Sequence, residues 1–292
     1  MPSLKEIKVR IATVRSTLKI TSAMKMISSV KLLHAQYAIA NLLPYQKALD
    51  EILSETTLGE ESYYSPFFEQ REIKKVGIIA ISSNTTLCGA FNSNIINKTQ
   101  SFIDQYKNMG VDEIKIFALG KVLAKHFSKL HYTVEILPSE MIEKPGYESS
   151  FKFANEIMSL FRKKELDRID LVFSHFKSRA SQVVTTAQYL PYHAYKGPSS
   201  GVKQTIQPKP NNYIFEPGRE EIAIGLIEKS LKFKIFSVIS DSSASEHAAR
   251  TLAMQIATDN ADNLIEDLTL QYNKSRQQAI TNELLDIMGG FR

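Results

Sequence analysis

With 292 residues, 43% of them apolar, and a net charge of +5, the chain can bury a sizeable core and is no disordered segment. Its single cysteine, Cys88, excludes an internal disulfide and fits a reducing compartment. Nowhere do about 18 uncharged apolar residues run together, which excludes a helical membrane span and predicts a soluble or peripheral protein.

The chain opens on a stretch, Ser3 to Leu43, free of glycine and proline. Ser3 followed three residues later by Glu6 is a capping box that starts a helix. Apolar residues then fall at Leu4, Ile7, Ile11, Val14 and Leu18, and this alternation of three and four is a coiled-coil seam. Beyond Leu18 the apolar stripe slips to Ile20, Met24, Ile27 and Val30, which predicts that this part faces a different partner. The helix is expected to end near Pro44, or to continue after a kink to Thr56, so residues 1–56 form an N-terminal helical unit. Residues 1–37, with one acid and many Lys, Arg and Ser, also have the look of a transit peptide, but a discarded leader has no use for a seam.

Residues 57–72 are a polar, aromatic linker with Gly59 and Pro66, and a domain of residues 73–212 is expected to follow. It starts with the continuous apolar run KVGIIAIS (75–82), a strand buried on both faces, then the turn SNTTLCGAFN and a helix to Met109. Strand 113–119 with helix 121–130, and strand 132–137 with a helix over about 148–164, repeat the order. This alternation argues an α/β sheet of parallel, Rossmann-like character. The runs 170–178 and 182–190 alternate and lie close enough for a hairpin at an edge, and residues 191–212 read as an exposed loop rich in proline.

Residues 213–292 form the last unit. From Gly218 onward there is no proline, and no glycine falls between Gly225 and Gly289, so one very long helix is expected. At about 1.5 Å per residue it would extend on the order of 100 Å. A rod of that length needs a partner, and the first helix offers one. Residues 1–50 hold eight Lys/Arg against two acids and residues 241–292 hold eight acids against four Lys/Arg, which favours laying the two side by side.

An α/β sheet invites a nucleotide, yet neither GxxxxGK[ST] nor GxGxxG occurs, and Gly89 in LCGAFN is a lone turn glycine. The six histidines, at 34, 126, 131, 175, 193 and 247, are scattered, so no metal site is expected, and Cys88 has no partner that would make it a nucleophile. No cofactor and no catalytic residue is therefore expected. Two readings of other classes stay open at this point. One is a nucleotide- or sugar-binding α/β enzyme with helical oligomerisation arms, and the other a nucleic-acid adaptor working through the basic first helix.

Five stretches carry a resemblance. LKEIKVRI (4–11), KITSAMKMISSVKL (19–32), LCGAFN (87–92), SEHAARTLAMQIATDNADNLI (245–265) and YNKSRQQAITNELLDIMGG (272–290) look like the marked stretches of the gamma subunit of F-type ATP synthases, in the same order. The resemblance implies a non-catalytic rotor shaft: terminal helices in a long antiparallel coiled coil inside a hexamer of alpha and beta subunits. The inserted α/β domain would sit below, near epsilon and the membrane c-subunit ring, on the cytoplasmic face of a bacterial inner membrane and without inserting into it.

By that resemblance Met24 and Lys25 face an acidic lever segment of beta, while Arg250, Gln277, Thr281 and Glu283 engage hexamer loops. Tyr213, Phe215 and Glu216 match the foot that touches the ring and epsilon, and Ile280, Leu284, Ile287 and Phe291 serve as an apolar bearing. The chain also departs from the family, which usually has an acid, a base and a glycine ahead of LCG where this sequence has Asn84, Thr85 and Thr86. The domain has no extra cysteine pair, which argues against the light-regulated chloroplast form.

Overall fold

The computed structural model describes residues 3–56, 66–192, 216 and 218–289. Helix α1 (Leu4–Thr56) starts on the expected cap: the Ser3 hydroxyl accepts from Glu6 N at 3.3 Å and the Glu6 carboxylate from Ser3 N at 3.0 Å. It runs through Pro44 to Thr56 as one helix. Helix α6 (Arg219–Gly289) continues for 71 residues and packs antiparallel along α1. The Thr21 and Thr258 hydroxyls lie 3.0 Å apart, Leu32 packs with Ala244 and Ala248, and the Tyr45 and Phe233 rings meet at 4.5 Å.

The seam does not slip. Spacings of three and four continue past Leu18 through Thr21, Lys25, Ser28, Leu32, Ala35, Ile39 and Leu42, every one buried or half-buried. Ile20, Ile27 and Val30 are instead 60%, 58% and 51% exposed. The stripe leaves the seam, as expected, but the seam itself runs on, and for a physical reason. Once the helices interlock at Ile7 and Leu32, a repeat of 3.5 residues fixes every position between them, whatever side chains occur there. Small hydroxyl residues fill the middle of the seam, and the large apolar ones are left outside.

Between the helices lies one five-stranded sheet of order β3-β2-β1-β4-β5. Strands β1 (Lys75–Ile81), β2 (Glu113–Leu119), β3 (Thr133–Ile136) and β4 (Arg168–Phe176) are parallel, and β5 (Gln182–Leu190) closes an edge antiparallel to β4, as the hairpin pattern predicts. Alternate residues of β1 feed two cores. Ile78 and Ala80 face α2 (Phe91–Asn108) and α3 (Lys121–Lys129), while Ile79 and Ile81 face α5 (Tyr147–Arg162) and the first turns of α6. A short helix α4 (Glu140–Glu143) lies between β3 and α5 and touches α6. Among the described residues no helix is long and apolar enough to cross a membrane.

Candidate functional site: the shaft and its seat on the sheet

In a sheet of this order the chain reverses direction between β1 and β4, and ligands of such folds bind in the crevice outside the carboxyl ends of those two strands. Here α6 fills it. The Ser245 hydroxyl donates to Ser174 O at the end of β4 (2.9 Å), and Asp241 accepts from Phe176 N (2.9 Å) and pairs with His175 Nδ1 (2.6 Å). Ala249 closes over Cys88 and Phe91 on the β1 side. The density of small residues in SDSSASEHAAR (240–250) allows this approach, since nearly every position there is buried.

The loop after β1 is locked from within. Leu87 and Gly89 sit at φ +67° and +61°, turning the chain sharply, and Cys88 is buried between them. The Asn92 amide spans the turn: its oxygen accepts from Ser83 N (3.0 Å), and its nitrogen donates to Ser83 Oγ (2.8 Å) and Thr85 O (3.3 Å). Asn84, at the departure from the family pattern, donates to Ser139 O (3.2 Å) and to the Glu143 carboxylate of α4 (3.0 Å).

Two predicted site residues come together. Met24 and Arg250 line one cavity of about 240 Å³ between α1, this loop, α4 and α6, along with Lys31, Glu143, Glu246 and His247. Burial pushes the His247 imidazole down to about 4, helped by the Lys31 and Arg250 cations, and its Nδ1 has no hydrogen-bond partner among the described residues. Burial raises the Glu246 carboxyl, opposed by Arg250 and Lys31, and raises Asp241, opposed by the hydrogen bonds from His175 and Phe176 N.

Arg250 itself is turned inward. It is 7% exposed, and donates from one Nη to Thr86 O and from the other to Glu246 (2.7 Å), within the chain and at the wall of the cavity. Lys25 is half-buried at a seam position. Gln277, Thr281 and Glu283 are exposed, with the Thr281 hydroxyl bonded back to Gln277 O (2.9 Å).

These residues, like Ile280, Leu284 and Ile287, lie where α6 outruns its partner. Eighteen residues back from Thr21 is Ser3, and eighteen on from Thr258 is Arg276, so the last turns of α6 overhang the start of α1. Ile280, Leu284 and Ile287 are 49%, 57% and 62% exposed, and Leu285 and Met288 are exposed beside them. The tip is therefore apolar on several sides. Glu216 is exposed, while Tyr213, Phe215 and Phe291 lie outside the described residues. Sequence reasoning missed the pairing of Asp241 with His175 and the seat of Glu246, whose only signal was an acid amid small residues.

A family model described as ATP synthase matches residues 3–292. The ATP synthase gamma chain of Phocaeicola vulgatus is 46% identical over 290 residues, covering 99% of each chain. The chain belongs to the ATP synthase gamma-chain family. The gamma chains of Bacteroides thetaiotaomicron and Flavobacterium johnsoniae are 46% and 44% identical, over 99% of this chain and 99% and 98% of their own lengths. Solved structures share the fold: the rotor of the Euglena gracilis mitochondrial ATP synthase (TM-score 0.63, 18% identity, 95% and 98% of the two chains) and the central stalk and c-ring structure from Tetrahymena thermophila (TM-score 0.59, 19% identity, 82% and 99%). Among the described residues no group of three or more His, Cys, Asp or Glu could hold a metal ion.

Proposed function

We propose that the chain is the non-catalytic central-stalk rotor of a bacterial F-type ATP synthase, carrying rotation between a proton-driven membrane ring and a catalytic hexamer of alpha and beta subunits. The observation that carries this reading is an antiparallel coiled coil seated at one end on a sheet domain and projecting a single apolar tip at the other, in a chain that matches gamma chains end to end. Residues 1–56 and 213–292 form the shaft and residues 73–212 the seat. The chain works peripherally, at the cytoplasmic face of the inner membrane, with epsilon and the c-subunit ring as its lower partners.

Its mechanism is a shift of populations. The shaft has two unlike helices and one overhanging tip, so it meets three chemically equivalent beta subunits differently and stabilises a different conformation in each. Met24 and Lys25 would face the beta lever, and Gln277, Thr281 and Glu283 would reach the hexamer from the overhang. Ile280, Leu284, Ile287 and Phe291 would turn in its apolar collar, while Tyr213, Phe215 and Glu216 would touch the ring and epsilon.

The test is affinity purification of the tagged full chain from its native membranes, followed by single-molecule rotation of the recovered complex. Co-purification of alpha, beta and ring subunits with ATP-driven rotation is expected. Recovery of the chain without a hexamer would overturn the reading.

A further inference from the structure

The strongest unassigned feature is the junction where the sheet lets go of α6. Below it, α6 is tied to the sheet domain by a series of polar contacts: Glu228 to Arg162, the Tyr189 hydroxyl to Leu231 O (3.2 Å), Lys234 to Gln188 O (2.8 Å), Asp241 to β4, and Ser245 to Ser174 O. Arg250 makes the last side-chain hydrogen bond from α6 to the domain among the described residues. Beyond it the buried residues of α6, Met254, Thr258, Ala261 and Leu268, fall at spacings of four, three and seven along α1, while Ala253 still faces the Gly89 turn.

We propose that Arg250, acting through the Thr86 carbonyl, is the upper clasp that fixes the sheet domain to the shaft and transmits torque between them. This rests on the rotor reading above. A guanidinium suits the task because its planar fork bonds two groups at once, here the loop carbonyl with one nitrogen and Glu246 with the other, and a charged donor strengthens both bonds in a buried site.

The receiving end is equally rigid. Thr86 lies in the loop that Asn92 spans from one side and Asn84 ties to α4 from the other, with Asn84 Oδ1 also accepting from Lys121 N at the start of α3 (3.4 Å). A twist of the domain therefore reaches one short loop held by α2, α3 and α4, and passes from that loop through Arg250 into α6 above the lower ties. Glu246 keeps the guanidinium from swinging away when the load reverses. Arg250 is thus a positioning residue of the rotor itself, and needs no contact with the hexamer to affect rotation.

The experiment uses the assembled complex with Arg250→Ala and Arg250→Lys. The hexamer is immobilised, a probe is fixed to the sheet domain, and the angular spread of the probe is recorded while the shaft is held at a catalytic pause. Amide hydrogen exchange of residues 84–89 is followed in the same preparations. Arg250→Ala should widen the angular spread about twofold and speed exchange at 84–89 about tenfold, as for a segment that opens locally, with exchange in β1 and β4 unchanged. Arg250→Lys, which keeps charge and stem but not the fork, should fall between, and carries the test if the alanine variant does not assemble. Unchanged angular spread and unchanged loop exchange in a variant that rotates would overturn the clasp and leave the rotor reading standing. A wild-type chain that joins no hexamer would overturn both.

Discussion

His247 reports on the cavity it lines. Its imidazole is held neutral by burial and by Lys31 and Arg250, with Glu143 and Glu246 as the facing acids, and titrates near 4 in place of the ordinary 6.5. Its folded pKa is depressed, so the unfolded chain takes up a proton below about 6.5 while the folded chain waits until about 4, and stability is lost as pH falls across that window. The loss is at most about 3 kcal/mol. Glu246 and Asp241, whose carboxyls are raised, act in the opposite sense: each lowers stability as pH rises through its folded pKa. Comparing wild type with His247→Gln isolates the histidine. The urea midpoint of the full chain should drop between pH 7.5 and 4.5 by clearly more in wild type than in the variant, and equal drops would remove His247 from the account. Gly120 is the second sensitive position. At φ +112°, a Cβ there would come 2.5 Å from Ser82 O, so Gly120→Ala should cost about 2–4 kcal/mol from backbone strain and overlap together. A thermal midpoint within a degree of wild type would contradict that geometry.

Among the elements, the coiled coil offers the sharpest comparison, because two aliphatic residues five positions apart have opposite fates. Leu32 is 2% exposed in the seam and Ile27 is 58% exposed outside it. Leu32→Asp would bury an unpaired carboxylate between α1 and α6, costing at least about 3 kcal/mol and melting both helices together. Ile27→Asp should leave the isolated chain within about 0.5 kcal/mol of wild type, as surface changes usually do. Circular dichroism during urea unfolding checks both, and the reverse order would restore a slipped stripe. This comparison also shows what the sequence can tell. The alternation from Leu4 to Leu18 and the βα order of the sheet were legible, since both are periodic burial patterns. The continuation through Thr21 and Ser28 was not, because a small hydroxyl residue looks the same in a seam as on a surface. Arg250 is a related case: a lone charge on a helix gives no sign of the loop carbonyl it bonds, 164 residues away in sequence.

At the scale of the molecule, the rod has one end that belongs to the fold and one that does not. The half-buried positions of α6 end at Ala279, and the apolar side chains described beyond it are all exposed. Removing everything after Ala279 should therefore shift the thermal midpoint of the full chain by no more than about 2 °C, close to what a negligible change in free energy produces in a chain of this size. In the reconstituted complex the same truncation should weaken assembly or broaden the rotation axis, seen as lateral wandering of an attached bead. A large loss of midpoint would mean that the tip supports its own coil and is no bearing. The packing of α6 across the carboxyl ends of β1 and β4 has a consequence of a different kind. Asp241 and Ser245 hold the last residues of β4, and Ala249 covers Cys88 beyond β1, so these two strand ends cannot part without first prying the shaft away. The sheet domain is clamped at its central strand pair by the rod it carries.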